Sequence, residues 1–272
     1  MSILLSELLY KHIMQNSLNP QQIQSFITNG FVRIDNAFPA TLAKEARNIL
    51  WQDLPGNSQD NSTWTQPVVR LGMYSQEPFT KAASTPILHK AFDQLVGQNK
   101  WKPCMSMGTF PVRFPSTIDS GDTGWHVDAG FPGADLNDYF NWRINIHSKG
   151  RALLMLFLFS DVTALDAPTK ILKGSHMDVA RLLKPQGDTG MSFMELAMRL
   201  PELPELPEAL ATGKAGTVYL CHPFLVHGAQ QHHGTEPKFM AQPPLLLNSD
   251  FDIESPGLRS PVEEAIRIAL ST

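Results

Sequence analysis

The chain has 272 residues, of which 42% are hydrophobic and 18% are charged, and its formal net charge is -4. This length and composition predict one globular domain spanning 1–272 and argue against a largely disordered chain. The sequence contains no run of lysines and arginines that could neutralise a phosphate backbone, so we expect no nucleic acid partner.

The N-terminal stretch MSILLSELLY, residues 1–10, is apolar but short, and it lacks a basic leader and a small-residue cleavage pattern. We therefore expect no signal peptide. No apolar run approaches the ~20 residues that cross a bilayer, so we expect no membrane partner. The two cysteines, Cys104 and Cys221, are far apart and suit neither a disulfide framework nor a thiolate zinc site, which favours a cytoplasmic location.

The first predicted elements are a helix, a strand and a second helix. Asn19 and Pro20 have the chemistry of a helix start, and Gly30 is placed to end that helix. The alternating sequence FVRI at 31–34 predicts a strand. Thr41 is then predicted to cap a second helix that has one apolar face.

The middle of the chain has the pattern of a β-rich core. A polar stretch rich in helix breakers at 55–66 predicts a surface loop or an active-site flap. Between Trp101 and Phe159, turn residues separate the strand-like segments MGTFPVRF, WRINIHS and RALLMLFLF. A further strand, TVYLC, is predicted at 217–221.

Two capping boxes predict helix starts in the C-terminal half, one at Ser192 with Glu195 and one at Ser260 with Glu263. Three methionines at helical spacing near the first box are predicted to pack in the core: Met191, Met194 and Met198.

Strand-rich segments at uneven spacing, with helices at the chain ends, favour an antiparallel sandwich or jelly roll over a βαβ architecture. We therefore predict a mainly β fold with flanking helices. Its parts are a helical region at about 1–55, a jelly-roll core at about 100–250 and a C-terminal helix at about 261–271. The sequence has no Gly-rich phosphate loop that opens a helix, so a nucleotide-binding fold has no support.

The segment GWHVDAG places His126 and Asp128 two residues apart in a strand-like context. Their side chains would then point to one face and could bind one ion. With a second imidazole from elsewhere they would form a facial triad that leaves open positions on Fe(II). The bare spacing carries little weight, since the chain has nine histidines and a chance HxD is no surprise.

The downstream segment HPFLVHGAQQHHGTEPKF offers the second imidazole. His227 lies eleven residues before Lys238, and a hairpin around 232–236 would place Lys238 beside the strand that begins at His227. Such a cation close to the metal suits a carboxylate of a chelating acid.

These motifs together resemble a known family. The order HVD, then SDVTALDAPTKILKGSH, then HPFLVHGAQ with a basic residue after it, resembles the phytanoyl-CoA dioxygenase family of iron and 2-oxoglutarate oxygenases. Asp161 and the Gly-Ser-His at 174–176 match the family's pattern, and the resemblance covers most of 17–270. It implies a double-stranded β-helix, which is the jelly-roll or cupin-like core, with Fe(II), 2-oxoglutarate and O2 as cofactor and cosubstrates.

The resemblance also implies the roles of individual residues. His126, Asp128 and His227 would be the iron ligands, and Lys238 stands where the family usually has an Arg for the distal carboxylate of 2-oxoglutarate. Because Lys is a point charge and Arg a planar fork, we expect lower cosubstrate affinity or a preference for another 2-oxo acid.

Other histidines compete with this assignment. His222 is an alternative third ligand, but the eleven-residue spacing to a cation and the family's HPxLxH pattern both select His227. His232 and His233 are predicted at the solvated hairpin tip, and His176 as a structural hydrogen-bonding group.

Two residues are predicted to contact the cosubstrate. Arg113, thirteen residues before His126, would supply a second polar contact in the pocket, the alternative being a surface Arg paired with a carboxylate. Trp142 would form a wall beside the cosubstrate, the alternative being a core Trp.

The implied reaction is hydroxylation of an unactivated C–H bond of a small molecule, with release of succinate and CO2. The loops at 55–66, 115–124 and 129–140 are predicted to form the substrate entrance. No cluster of basic residues indicates a CoA ester, so we expect a small hydrophobic or amphipathic substrate. The Lys substitution leaves two alternatives open: a cupin-like metalloenzyme that does not use 2-oxoglutarate, and a catalytically silent jelly roll that binds a small molecule.

Overall fold

The computed structural model describes residues 18–254 and 256–271, so the apolar stretch at 1–10 lies outside the described residues. The α-helices are α1 (Pro20–Asn29), α2 (Ala40–Asp53), α3 (Glu77–Ala83), α4 (Pro86–Val96), α5 (Ser175–Leu183), α6 (Phe193–Arg199) and α7 (Pro261–Ser271). The strands are β1 (Phe31–Ile34), β2 (Val68–Leu71), β3 (Phe110–Arg113), β4 (Arg143–Ile144), β5 (Arg151–Leu158), β6 (Lys170–Leu172), β7 (Met191–Ser192), β8 (Glu208–Leu210), β9 (Val218–Cys221), β10 (His227–Gly228), β11 (Met240–Ala241) and β12 (Pro244–Leu246).

Helix α1 starts and ends where the sequence predicts. The Asn19 side chain accepts a hydrogen bond from the Gln22 amide at 2.9 Å, and the Gln22 side chain accepts one from the Asn19 amide at 3.0 Å. Gly30 ends the helix at φ 84°, a left-handed conformation that glycine adopts without strain. The predicted strand at 31–34 follows directly as β1.

Helix α2 begins earlier than predicted. Pro39 is its N-cap residue, with extended backbone at ψ 139°, and Thr41 is already the second residue of the helix. The prediction that Thr41 caps the helix is therefore wrong. The apolar face is nevertheless present, because Ala43, Ala46 and Leu50 are buried.

The central element is β5, whose eight residues are all buried. It lies in a five-stranded antiparallel sheet in which β1, β9 and β5 are adjacent and both β11 and β12 pair with the other edge of β5. Alternate side chains enter two hydrophobic clusters. Leu154 and Leu156 pack with Ile171 of β6, whereas Leu153 and Met155 pack in the cluster that includes the helices.

A three-stranded sheet, in the order β10, β6 and β8, carries Ile171 and packs on the five-stranded sheet through the first of these clusters. Two ribbons, β2 with β3 and β4 with β7, complete the strands of the described region. In this region the sheets do not close into a barrel. The fold is mainly sheet with flanking helices, as predicted.

Helices cover the other side of the five-stranded sheet. The C-terminal helix α7 packs against α1, α4 and α5, so the two ends of the described chain meet in one helical layer. Among the residues that the structure describes, no helix is both long and apolar enough to cross a membrane.

Both predicted capping boxes are confirmed. The Ser192 amide donates to Glu195 at 2.6 Å, and the Glu195 amide donates to the Ser192 hydroxyl at 3.1 Å. At α7, the Ser260 amide donates to Glu263 at 2.8 Å, and the Glu263 carboxylate also pairs with Lys100 at 2.9 Å. Each box satisfies donors that the first helical turn leaves without an intrahelical partner.

The methionine prediction is wrong in two of three positions. Met191 is buried in β7, but Met194 is 44% exposed and Met198 is 69% exposed. Helix α6 lies at the surface, and Leu196 is its fully buried residue. Helical spacing alone did not show which face of so short a helix meets the core.

Candidate metal centre

His126 and His227 lie directly opposite each other in an antiparallel bridge. Each backbone amide donates to the carbonyl of the other residue at 2.9 Å, and the ring centroids are 4.4 Å apart. Side chains of residues that oppose each other in such a pair lie on the same face. The HxD segment is thereby attached to β10, and the two imidazoles meet.

Asp128 completes the group. Its Oδ1 lies 3.8 Å from His126 Nε2 and 3.7 Å from His227 Nε2. One donor atom from each of the three residues lies within 4.8 Å of the other two. Each imidazole Nδ1 is 3.0 Å from a backbone carbonyl, that of Gly124 or Leu225. In the neutral ring Nδ1 then carries the hydrogen, and Nε2 presents its lone pair to the group.

The protonation states suit a divalent cation. Burial opposes ionisation of Asp128, but the Arg151 guanidinium and the two imidazoles outweigh it and hold the pKa of the carboxyl at about 2. Burial lowers the pKa of His227 to about 4. Near neutral pH the carboxylate is therefore charged and this imidazole neutral, as metal binding requires.

Two residues that the sequence analysis missed hold the carboxylate. Arg151 Nη1 and Gln242 Nε2 each lie 3.3 Å from Asp128 Oδ2, the oxygen that the imidazoles do not face. Gln242 Nε2 also lies 3.0 Å from His227 Nε2. Arg151 is the charged residue that begins the apolar run RALLMLFLF, and this unusual position in the sequence could have identified it. We find no comparable signal for Gln242.

The donor set fits a mononuclear iron ion. Two neutral imidazoles and one carboxylate form the N,N,O set of the facial triad, and neighbouring groups orient the carboxylate. In the described part of the chain, these three residues form the group of His, Cys, Asp and Glu side chains that could hold a metal ion.

The competing histidines lie elsewhere. His222 is fully buried, its Nδ1 accepts from the Phe224 amide at 3.1 Å, and its ring packs 4.8 Å from that of His176. His176 Nε2 contacts a backbone carbonyl, in keeping with its predicted structural role. His233 is exposed as predicted, but His232 is only 3% exposed, so its predicted solvated position is wrong.

The predicted hairpin is also wrong. Strand β10 pairs with β6 rather than with the chain that follows it. Lys238 instead pairs with Arg113 of β3, through amide-to-carbonyl bonds of 2.8 and 3.1 Å. His232 is the buried residue of the 232–236 segment, whereas His233, Thr235 and Glu236 are exposed. The pairing of Lys238 with Arg113 makes these two residues neighbours.

Both residues line a cavity of about 1010 Å³ that also contains His126, Asp128 and His227. Lys238 is 1% exposed, and its Nζ donates to the Ala167 carbonyl. Burial, with the adjacent Arg113 charge, lowers the pKa of Lys238 to about 7.

Arg113 combines parts of both predictions, because it lies at the cavity but is not the surface residue that the alternative describes. It lies in the cavity wall and is buried, and it also pairs with a carboxylate, that of Asp122, at 2.7 Å. Arg70 binds the same Asp122 oxygen. We call Arg70, Arg113 and Lys238 the basic cluster.

A second set of residues lines the cavity with rings. Phe193 of α6 has its centroid 5.7 Å from the His126 ring, 5.5 Å from Tyr139 and 5.9 Å from Phe140. We call Tyr139, Phe140 and Phe193 the ring cluster. The structure does not bring Trp142 to the cavity. Its indole donates to the Leu136 carbonyl at 3.0 Å, and its ring lies 5.6 Å from that of Tyr139.

The three predicted entrance loops differ in outcome. The loop at 129–140 contributes Tyr139 and Phe140 to the cavity, and that at 115–124 contributes Asp122 and two glycines. No residue of 55–66 lines the cavity. Trp64 of that segment packs instead against Trp51 and Phe114, with centroids 6.2 and 5.7 Å away.

The solved structures of similar fold include SnoK, HygX and EctD. SnoK, an α-ketoglutarate-dependent carbocyclase of nogalamycin biosynthesis, matches with a TM-score of 0.54 and 17% identity, over 85% of this chain and 84% of that one. HygX from Streptomyces hygroscopicus, with nickel and 2-oxoglutarate bound, matches with a TM-score of 0.52 and 16% identity, over 83% of this chain and 86% of that one. EctD from S. alaskensis, with 2-oxoglutarate and 5-hydroxyectoine, matches with a TM-score of 0.53 and 19% identity, over 85% of this chain and 76% of that one. At such identities the likeness concerns the fold.

Sequence comparison identifies the family. None of the curated proteins matches this chain. The family model of phytanoyl-CoA dioxygenase matches residues 26–240, which include His126, Asp128, His227 and Lys238. The resemblance predicted from HVD and HPFLVHGAQ is therefore confirmed. The chain belongs to the phytanoyl-CoA dioxygenase family of non-haem iron, 2-oxoglutarate-dependent oxygenases.

Proposed function

We propose that His126, Asp128 and His227 hold Fe(II), and that the protein hydroxylates an unactivated C–H bond of a small molecule. The observation that carries this proposal is the convergence of three donor atoms within 4.8 Å, in a cavity that also contains a buried lysine. Bound iron with 2-oxoglutarate and O2 supplies the oxidising chemistry, in which the 2-oxo acid becomes succinate and CO2.

The side chains of the cavity bind and orient. Arg151 and Gln242 hold one oxygen of Asp128, which leaves the other to face the imidazoles. No side chain needs to act as a nucleophile, because the oxidising chemistry belongs to the cofactor and the protein supplies geometry and exclusion of water.

Lys238 is proposed to bind the distal carboxylate of 2-oxoglutarate. Its ammonium has three donors, and the structure gives one of them to Ala167. A carboxylate here would stabilise the charged form of a lysine whose pKa burial lowers to about 7. Two proteins of similar fold have been solved with this cosubstrate, HygX with nickel and 2-oxoglutarate, and SnoN with Fe3+, α-ketoglutarate and nogalamycin RO, which supports the proposal that this cavity binds 2-oxoglutarate.

We further propose that the two packed sheets are the halves of a double-stranded β-helix within one domain. Strands β5 and β9 lie in one sheet, and β6 and β10 lie in the other, with His227 on β10. The hydrophobic cluster between them has the position of a jelly-roll core.

The test is anaerobic titration of the purified protein with Fe(II) and 2-oxoglutarate. We expect a weak visible charge-transfer band that Lys238→Ala abolishes or greatly weakens. Lys214→Ala is the matched control, because Lys214 is exposed and pairs with Asp161 at the surface. If the native protein forms no band and releases no succinate in air, the 2-oxoglutarate assignment fails, and the cupin-like or silent alternative replaces it.

A second comparison tests the third ligand. His227→Ala should lose iron, whereas His222→Ala should retain it if it folds. Retention of iron by the first variant would contradict the proposed ligand set.

A further inference from the structure

The ring cluster forms a continuous path from a proposed iron ligand to solvent. Phe193 packs against the His126 ring on one side and against Tyr139 and Phe140 on the other, with centroid distances of 5.5 to 5.9 Å. Phe140 is 60% exposed at the outer end. Large apolar side chains that are exposed together at a cavity mark a binding surface.

The rings are held in place by their backbone. Asp138 accepts from the Phe140 amide at 3.1 Å, and the Tyr139 hydroxyl accepts from the Ala129 amide at 3.2 Å. The Phe193 amide donates to the Trp142 carbonyl at 2.7 Å. A preordered surface of this kind loses little conformational entropy when a ligand binds.

The charged groups of the cavity lie elsewhere. Arg70 and Arg113 pair with Asp122, and Arg151 pairs with Asp128. The residues that α6 and the 139–140 turn contribute to the cavity are all uncharged: Tyr139, Phe140, Phe193, Met194 and Ala197. An anionic headgroup would find no cation among these five cavity residues.

The geometry of the cluster favours flat ligands. Its rings are tilted by 49 to 59° to their neighbours, and Tyr139 and Phe140 are 41% and 60% exposed, so ring surface is available for offset or edge-on stacking. Met194, 44% exposed beside them, is a flexible contact that can adapt to the ligand's edge.

We propose that the substrate is an uncharged molecule with at least one flat apolar ring, which stacks on Phe193 and Phe140. Stacking there brings the neighbouring C–H bonds to the His126 side of the proposed iron centre. This inference rests on the proposed function, and it predicts that a saturated acyl chain with a charged headgroup binds more weakly, because the chain has no ring that could stack on Phe193 and Phe140.

The test is calorimetric titration of the protein loaded anaerobically with Fe(II) and 2-oxoglutarate. The probes are 2-naphthol, decahydro-2-naphthol, which has the same carbon skeleton without π faces, and decanoyl-CoA. We expect 2-naphthol to bind about fivefold more tightly than its saturated analogue, since ring pairs add ~0.5–1.5 kcal/mol beyond area burial. Decanoyl-CoA should bind most weakly.

Variants locate the binding. Phe193→Leu and Phe140→Leu should each weaken 2-naphthol binding about fivefold and leave decahydro-2-naphthol nearly unchanged. Phe140 is mostly exposed, so that variant should fold even if Phe193→Leu does not. Phe131→Leu is the matched control, because Phe131 lies outside the cavity lining, under Lys149.

Tighter binding of decanoyl-CoA or of the saturated alcohol would overturn the proposal, as would 2-naphthol binding that neither variant weakens. The visible band that forms with 2-oxoglutarate distinguishes failure of the proposed substrate class from failure of the proposed function. If the band forms and the probes rank in the wrong order, only the substrate class fails. If no band forms, the proposed function itself fails.

Discussion

The basic cluster and the ring cluster line one cavity, but they differ in how the fold supports them. Arg113 and Lys238 are buried and held by direct backbone pairing between them. The ring cluster lies on a short 3-10 helix (Tyr139–Asn141) and on helix α6, and Tyr139 and Phe140 are exposed. Groups on rigid, buried strands suit chemistry that must be positioned accurately, whereas loop-borne surfaces can vary with the substrate. This difference agrees with the proposal that the first cluster binds the cosubstrate and the second binds the substrate.

The largest expected effect is on the basic cluster. Lys238→Met should weaken 2-oxoglutarate binding by about 2–5 kcal/mol, because it removes one partner of a buried charge pair. Pyruvate lacks the distal carboxylate, so its binding to the Fe(II)-loaded protein should hardly change. Titration of the visible band with both acids measures this difference. Equal weakening of the two acids would show that Lys238 does not bind the distal carboxylate.

The pH dependence of cosubstrate binding should follow Lys238. Burial lowers its pKa to about 7, so above pH 7 the free protein holds a neutral amine and must take up a proton to bind the dianion. The affinity for 2-oxoglutarate should then fall about tenfold per pH unit above 7 and level off below it. Lys238→Arg stays charged throughout and should give a flat profile. A native profile as flat as that of the arginine variant would contradict this assignment.

A smaller effect is expected on iron affinity when Arg151, beside the proposed metal ligand Asp128, is replaced. Arg151→Met removes the cation that lies 3.3 Å from Asp128, so the pKa of the carboxyl rises from about 2 and protons compete better with iron. Iron affinity should fall about tenfold, and more steeply at pH 5 than at pH 7. Arg143→Met, which removes an arginine paired with Glu195 outside this cavity, is the control. A rise in iron affinity would mean that Arg151 acts mainly by repelling the cation.

The smallest effect should come from the ring cluster. Tyr139→Phe removes a hydroxyl that accepts from the Ala129 amide but keeps the ring. Urea unfolding should show a loss of about 1 kcal/mol, the usual contribution of one hydrogen bond, with 2-naphthol binding unchanged. Loss of probe binding in this variant would assign the recognition to the hydroxyl rather than to the ring face.

Local sequence rules determined the parts of this protein that depend on neighbours in the chain. The capping boxes at Ser192 and Ser260 and the helix from Pro20 to Asn29 follow from contacts within four residues. The family motifs likewise selected His126, Asp128 and His227 as one group, which the structure brings together. These predictions needed no knowledge of which strands pair.

Tertiary structure alone decided what lies beside these motifs. Segments far apart in sequence meet where Lys238 pairs with Arg113 and where β10 pairs with β6. The same is true where Arg151 and Gln242 approach Asp128. Local periodicity does not specify such pairings, because they depend on which distant segments meet in the folded chain. For the same reason the exposure of Met194 and the burial of His232 were predicted wrongly: whether a side chain meets solvent depends on what packs over it.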